Sequence, residues 1–517
     1  MKKPLQVKID VYGQFIKITS KNFTQLYTSL NSFLYRLSLF NYVKVKDPKT
    51  RRLTIKKTKE HDFFIVEEKI PGISRSDNCF RIPRTLLDEL LEYVEHNGFD
   101  FVLKHHEPIK GKDVEFEINK DFRPRDYQEE YAKAIINAKT NNVLVDLQTG
   151  KGKTFISMYA LSKIKKRFAV LILPVYMEKW KNDITYLTNI KEDEIMILQG
   201  SNSFLRLLEM EDKDLVKYKC FIISLPSINT FIKTYLSGGF IGYGDIHPEM
   251  IFEKMKVDTI LNDEGHQHFH QVVKTSLFAN VRFMLILTAT LISNKRNVEN
   301  MYRTIIPDNH RISNIVTYDK YIKAYGIAYR FESPSRIAFK TSRGYNQAKF
   351  EKSIMRRNNV LKNYLKFIKN LVDEFYIKKK RKDDDKCLIY AGTVKMCTVI
   401  RDYLREHYSD LIINKYTEED PYDIILTSNI IVSTLQSAGV ALDIPNLLTV
   451  IQTINIQSLA ANEQTKGRLR KRDDGDVFFV FTYSEDIPSH IRYTKDRVEF
   501  FRDRVSGLEF KRYSEQI

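Results

Sequence analysis

The seven residues Gln148-Thr149-Gly150-Lys151-Gly152-Lys153-Thr154 follow an apolar run and open a helical stretch over 155–163. Glycines there let backbone N–H groups close on phosphate oxygens, and a helix N-terminus adds positive potential. In that context Lys153 reaches the outer phosphates of a nucleoside triphosphate and Thr154 offers a hydroxyl to Mg²⁺. About 110 residues on, Asp263-Glu264-Gly265-His266 ends a second apolar run. A carboxylate at the end of a strand holds Mg²⁺ beside a phosphate loop, and its neighbour polarises an attacking water. Asp263 suits the first task and Glu264 the second. A third cluster, Gln464 to Arg472, sets Arg468, Arg470, Lys471 and Arg472 behind Gly467. Arginines that reach a γ-phosphate stabilise its transition-state charge. Val432-Ser433-Thr434 and Gly439 to Asp443 end another strand and begin a turn, a place to touch nucleotide and a sugar-phosphate backbone. Thr288-Ala289-Thr290 offers hydroxyls to the carboxylates. His266, His268 and His270 alternate, yet no Cys or His cluster stands nearby, so no structural metal is expected. His266 is read as a nucleotide or coupling-loop contact and the other two as surface.

These residues need strands and helices to hold them, and the chain alternates accordingly. Val143–Leu147, Ala169–Leu173, Phe221–Leu225, Thr259–Leu261 and Met284–Leu287 are apolar runs separated by helical stretches. Cys387–Tyr390, Ile430–Ser433, Thr449–Gln452 and Val477–Thr482 form a second series. Continuous apolar runs suit parallel strands buried on both faces and joined by crossover helices. The expected organisation is a small α+β domain over 1–120, α/β layers over 121–305 and 346–517, and a linker over 306–345. Residues 5–20 alternate as a strand pair, and 24–37 and 84–96 read as amphipathic helices. Between them, residues 44–59 carry eight basic side chains and one acid. Lys44, Lys46, Arg51, Arg52, Lys56 and Lys57 make this a candidate phosphate-binding hairpin. The block 378–386, KKKRKDDDK, is read as a solvated loop.

Composition narrows the partners. The chain has 517 residues with 83 Lys and Arg against 65 Asp and Glu, a formal charge of +18. That excess favours a polyanion. Hydrophobic residues at 43% exclude wholesale disorder. The four cysteines form no CxxC pair, so a disulfide framework is not expected and a reducing, intracellular, soluble setting is. The N-terminus lacks an apolar signal-peptide core, and no apolar stretch approaches the ~20 residues of a membrane span.

The order of Arg125-Asp-Tyr-Gln128, Gly150–Thr154, Asp263–His266, Thr288–Thr290, Thr434…Asp443 and Gln464…Arg468 resembles a superfamily-two helicase across about 125–505. Within it, the DExH box and Leu442-Asp-Ile-Pro445 look like the branch-migration and repair branch. The basic N-terminal domain resembles that of the UvsW-type helicases of large bacteriophages, with poxvirus transcript-release helicases a more distant likeness. The resemblance implies two tandem RecA-like P-loop domains preceded by an α+β domain, with ATP and Mg²⁺ as cofactors. It places Arg125 and Gln128 near adenine, and Thr149, Gly150, Lys151, Gly152, Lys153, Thr154, Gly439, Asp443 and Gln464 around the nucleotide. Lys179, Ser224 and Ser227 would lie on the nucleic-acid face of the first domain, Thr393 and Thr434 on that of the second. Arg468 with Arg472 or Lys471 would sense the γ-phosphate. Three positions depart from the pattern: Leu147, Ala441 and Lys471, the last a point charge where the family has an arginine fork. Trp180 is read as core.

The resulting expectation is a monomeric, ATP-dependent helicase or translocase acting on forked, branched or single-stranded DNA, in the host cytoplasm if phage-encoded. An RNA helicase or transcript-release ATPase is one alternative; an inactive annealing module is another.

Overall fold

The computed structural model describes residues 4–46, 53–148, 150–265, 268–288, 296–313, 315, 320–342, 344–417, 420–438 and 444–517. The chain forms two compact units, one holding most of residues up to 316 and the other 317–517.

The first unit opens with β1 (Gln6–Val11) and β2 (Phe15–Thr19), the expected strand pair. A helix over Phe23–Arg36 follows, with the Asn22 side chain capping its N-terminus. Next come β3 (Ser38–Lys46), β4 (Leu53–Asp62), β5 (Ile65–Glu67), β6 (Cys79–Pro83), a helix over Leu87–His96 and β7 (Asp100–His105). Five strands form a mixed sheet in the order β5-β6-β2-β1-β7, while β3 and β4 pair separately as an antiparallel ribbon. Both helices bury one apolar face, through Leu26, Leu30 and Phe33 on the first and Leu90 and Val94 on the second. Such a two-layer arrangement buries what each element alone would expose.

The same unit continues through β8 (Asn142–Asp146), β9 (Phe168–Ile172), β10 (Ile195–Leu198), β11 (Cys220–Ser224), β12 (Thr259–Asp263), β13 (Phe283–Thr288) and β14 (Arg311–Ile312). These make a seven-stranded sheet in the order β10-β11-β9-β12-β13-β8-β14. Every pairing in it is parallel. Apolar runs without alternation, such as FAVLI and CFIIS, are buried along their whole length, as strands covered on both faces must be.

The N-terminal sheet and this parallel sheet share one hydrophobic core. A buried charge cluster joins them too. The Arg81 guanidinium, 1% exposed, donates to Glu67 at 2.6 Å and to Glu249 at 2.5 Å. The Tyr235 hydroxyl donates to the other Glu67 oxygen at 2.6 Å. Arg81 also stacks over the Phe15 and Phe278 rings at 5.0 and 4.4 Å. Gln14 donates to the carbonyls of Asn141 and Val281 at 2.8 and 3.2 Å. The N-terminal domain is therefore packed into the first α/β domain through a shared core.

The second unit contains β15 (Ile322–Tyr329), the short pair β16 (Lys340–Thr341) and β17 (Gly344–Tyr345), then β18 (Lys386–Ala391), β19 (Ile413–Tyr416), β20 (Ile430–Thr434), β21 (Leu447–Gln452), β22 (Val477–Ser484) and β23 (Gly507–Arg512). Its parallel sheet has the order β19-β20-β18-β21-β22-β15-β23. The architecture is that of two tandem RecA-like α/β domains preceded by an α+β domain.

Two local readings differ from the structure. The stretch expected to link the layers contains β15, paired on both sides in the second sheet. Its sequence IKAYGIAY mixes small and aromatic residues, so it lacks the continuous run of large apolar side chains that marks strands such as FAVLI and CFIIS. The block 378–386 is not simply solvated. Asp385 is buried, accepts N–H bonds from Arg381 and Lys382 at 2.7 and 3.0 Å, and pairs with Arg472. Among the described residues no helix is long and apolar enough to cross a membrane.

Candidate nucleotide site and nucleic-acid face

The loop after β8 leads into a helix over Lys153–Ile164. Gly150 and Gly152 hold φ of +86° and +82°, a region that L side chains disfavour. A Cβ on Gly152 would also lie 2.6 Å from Gln128 Nε2, so a side chain there would have to displace the Gln128 amide from its hydrogen bonds. Gln128 is buried and uses both ends of its amide locally. Its Oε1 accepts from the Arg125 N–H at 3.0 Å, and its Nε2 donates to the Lys151 carbonyl at 3.2 Å. The Tyr127 hydroxyl donates to the same carbonyl at 3.1 Å. The RDYQ segment thus fixes the shape of the phosphate loop in addition to its expected place near a base.

The carboxylates arrive on β12, which is separated from β8 by one strand. Lys153 Nζ spans the gap to Glu264 Oε1 at 3.1 Å. Burial alone would lower the ammonium's pKa; the charges of Glu264 and then Asp263 outweigh it and raise it. Asp263 moves up from its ordinary value, chiefly through burial and then through Glu264's charge, with Lys153 and Trp180 opposing. Trp180, 1% exposed, donates its indole N–H to Asp263 Oδ2 at 3.0 Å. Asp263 Oδ1 accepts the Glu264 backbone N–H at 3.0 Å, and Glu264 itself has φ of +51°. The two carboxylates are held side by side with one ammonium between them and the loop.

Trp180 is the contact that sequence reasoning missed. Its burial was expected; a buried indole N–H needs a polar partner, but nothing in the sequence says which. The ring is core, and its polar edge serves the carboxylate.

Other candidates sit variously. Lys179 is exposed and 3.9 Å from Asp183. Ser224 is buried and caps the helix over Leu225–Leu236 by accepting from the Ser227 N–H. Ser227 Oγ in turn bonds Ser224 Oγ at 2.8 Å and the Gly200 N–H at 2.9 Å. In the second unit, Thr393 caps the helix over Val394–His407 and donates to the buried Glu351 at 2.7 Å. Thr434 lies at the end of β20, with its hydroxyl 2.9 Å from that of Ser437. Gln464 lies half-buried on the helix over Leu459–Lys466. Arg468 is 8% exposed and hydrogen-bonds the Tyr390 hydroxyl.

That helix ends at Lys466, so helical spacing does not set Arg472 beside Arg468. Arg472 instead pairs with Asp385 at 2.5 Å and Asp474 at 2.7 Å, and these contacts occupy its guanidinium. Lys471 is exposed.

On the N-terminal ribbon, Lys56 and Lys57 are exposed, and Lys57 lies over the Phe40 and Tyr35 rings at 4.1 and 4.7 Å. At its base, His61 stacks on His270 at 3.7 Å. His270 belongs to the helix over Phe269–Ser276, just beyond the DEGH segment. Thr149, Arg51, Arg52, His266, Gly439 and Asp443 lie outside the described residues, as do the side chains of Lys44 and Lys46. Among the described residues no three His, Cys, Asp or Glu side chains gather as a metal site.

The arrangement fits MgATP. Glycines with positive φ leave backbone N–H groups accessible, Lys153 supplies charge, and Thr154 and Asp263 offer the oxygen donors that Mg²⁺ prefers.

Residues 121–293 match the family described as Type III restriction enzyme, res subunit. The chain is 22% identical over 453 residues to the General transcription and DNA repair factor IIH helicase/translocase subunit XPB of Enterocytozoon bieneusi, covering 84% of this chain and 68% of that protein. It is 22% identical over 382 residues to Transcript termination protein A18 of Yaba-like disease virus, covering 72% of each. The crystal structure of T4 UvsW aligns with 98% of this chain and 100% of its own, at 13% identity and a TM-score of 0.33.

Proposed function

We propose that this chain, a superfamily-two helicase by its matches to the res subunit and both curated relatives, is an ATP-driven DNA translocase. It unwinds or branch-migrates forked and junction DNA in recombination, repair or replication. The observation that carries the reading is the Lys153–Glu264 contact of 3.1 Å, with Asp263 beside it, at the end of a parallel strand. Thr154 and Asp263 would hold the cation, and the loop N–H groups and Lys153 the phosphates. Bound there, MgATP supplies a phosphoryl group that leaves readily.

The remaining roles belong to the chain's own groups. Lys153 neutralises the carboxylate pair. Glu264 orients a water, Trp180 fixes the rotamer of Asp263, and Gln128 fixes the loop. Arg468, with Lys471 as its nearest unencumbered basic neighbour in sequence, stabilises phosphoryl charge. Lys179, Ser227, Thr393 and Thr434 follow a nucleic-acid backbone, and the exposed Lys56 and Lys57 grip duplex arms. A net charge of +18 supports such electrostatic, sequence-independent binding.

The test is a panel of ATPase and unwinding assays over single strands, forks, four-way junctions and RNA hybrids. Turnover stimulated most by forks or junctions supports the proposal. Stimulation by RNA alone replaces it with transcript release, a reading that the likeness to the A18 termination protein favours. No turnover with any polynucleotide leaves an annealing module.

A further inference from the structure

The chain leaving β15 lies at the same edge of the second sheet as Thr393 and Thr434, because β15, β18 and β20 all run parallel. Parallel sheets bind ligands at that edge, beyond the carboxyl ends of their strands. There the segment after β15 and the turn joining the helices Gln347–Met355 and Asn358–Phe375 enclose a hollow of about 430 Å³. Arg336, Arg356 and Arg357 line it, with Asn358, Asn359 and the single carboxylate of Glu332. Arg357 is anchored: its Nη1 donates to the Ser353 carbonyl and hydroxyl at 2.8 and 2.9 Å. Arg336 and Arg356 are exposed and form no ion pair among the described residues. Elsewhere in this unit arginines find carboxylates readily, as Arg330 does with Glu485 and Arg472 with Asp385. Guanidinium forks gathered in a concavity without matching carboxylates suit phosphate oxygens, which they bind two at a time.

We propose that this hollow is a second backbone-phosphate site, which extends the nucleic-acid track of the second unit beyond Thr393 and Thr434. Three strand steps separate β18 from β15, about 14 Å at ~4.8 Å per step. A single strand following Thr434 and Thr393 along the sheet edge meets the arginines next. The inference rests on the nucleic-acid role proposed above and adds the direction in which the track continues.

The experiment is fluorescence anisotropy of the full chain with a labelled single-stranded DNA, across a salt series, for wild type and the double variant Arg336→Gln/Arg356→Gln. Both positions are exposed, so the fold tolerates the change. Loss of two phosphate contacts lowers the slope of log K against log salt by about 1.4. At ~0.1 M salt that is a loss of roughly 25-fold in affinity, referred to ~1 M where the electrostatic term vanishes. Basal ATPase without DNA stays at the wild-type rate. A charge-matched variant, Lys139→Gln/Lys163→Gln, retains the wild-type slope. The inference is overturned if the arginine variant keeps the wild-type slope and affinity, or if the lysine variant loses as much. A wild-type chain that binds no polynucleotide refutes instead the proposal on which the inference rests.

Discussion

Replacing Trp180 by phenylalanine removes one indole N–H and keeps an aromatic ring in the core. In the structure that N–H donates to Asp263 at 3.0 Å, and the oxygen it reaches belongs to the proposed Mg²⁺ ligand. Hydrogen bonds to charged groups contribute about 1.5–3 kcal/mol. Asp263 is only partly exposed, yet water can replace some of the lost bond, so the lower half of that range applies, about 13-fold to 45-fold at ~1.36 kcal/mol per decade. The Mg²⁺ concentration giving half-maximal DNA-stimulated ATPase should rise by that factor, while DNA affinity stays unchanged. The smaller ring also leaves a void, and thermal unfolding measures that cost separately. A second readout needs no turnover. Trp180 is the only tryptophan in the chain, so its emission reports the surroundings of Asp263. MgADP should shift that emission in the wild type, and less in Asp263→Asn. A Trp180→Phe chain with wild-type Mg²⁺ dependence, together with emission indifferent to bound MgADP, would refute the assigned contact.

Lys153→Ala should abolish DNA-stimulated ATPase and leave DNA binding intact, as turnover and anisotropy would show. Glu264→Gln should retain ATP binding but hydrolyse about 10²–10⁴-fold more slowly, measured in single turnover. Lys56→Gln/Lys57→Gln should weaken fork binding and reduce its salt slope by about 1.8, with a smaller effect on plain single strands; equal effects on both would remove the ribbon from duplex recognition. Arg81→Met strands Glu67 and Glu249 in the core and should cost about 3–5 kcal/mol in urea unfolding at neutral pH. Burial would raise Glu67, but the charge of Arg81 and then the hydrogen bond from His247 hold it well below the ordinary carboxylate range. A depressed carboxylate stabilises above its unfolded pKa of about 4.3, and that stability is lost as pH falls through the folded value. Wild type should therefore weaken in acid through this group, whereas the variant's Glu67, raised by burial, should narrow the gap between the two proteins.

The strands that hold the proposed nucleotide site were legible because each is a short apolar run leading into residues of distinctive chemistry, such as Thr259 to Leu261 ahead of Asp263. The contact between Lys153 and Glu264 follows from two strands of one sheet, but the sheet order β12-β13-β8 that brings them together is not written in either run. The side-chain roles that escaped the sequence share one cause: polar groups that act within the protein. Gln128 spends its amide on a carbonyl, Ser224 spends its hydroxyl on a helix cap, and Arg472 spends its fork on two carboxylates. Residue type announces a capacity for hydrogen bonds, and only three-dimensional neighbours decide whether that capacity is consumed. β15 escaped for a different reason: small and aromatic residues gain their strand character from the partners on either side.

The shared core of the N-terminal and first parallel sheets changes how the accessory domain must be understood. A separable DNA-binding module would meet its neighbour through a small polar interface. Here Gln14, Arg81 and Glu67 are buried where the two sheets meet, and the ribbon's His61 stacks on His270, in the helix that follows the DEGH segment. Removing the first 110 residues would expose that core and leave Glu249 without its arginine, so loss of activity on truncation would say little about DNA contacts. Point substitutions on the ribbon are the discriminating probe. If duplex arms bind there, the grip rests on elements that share one hydrophobic core with the parallel sheet that ends in Asp263, so substrate binding and the carboxylates stand on the same scaffold.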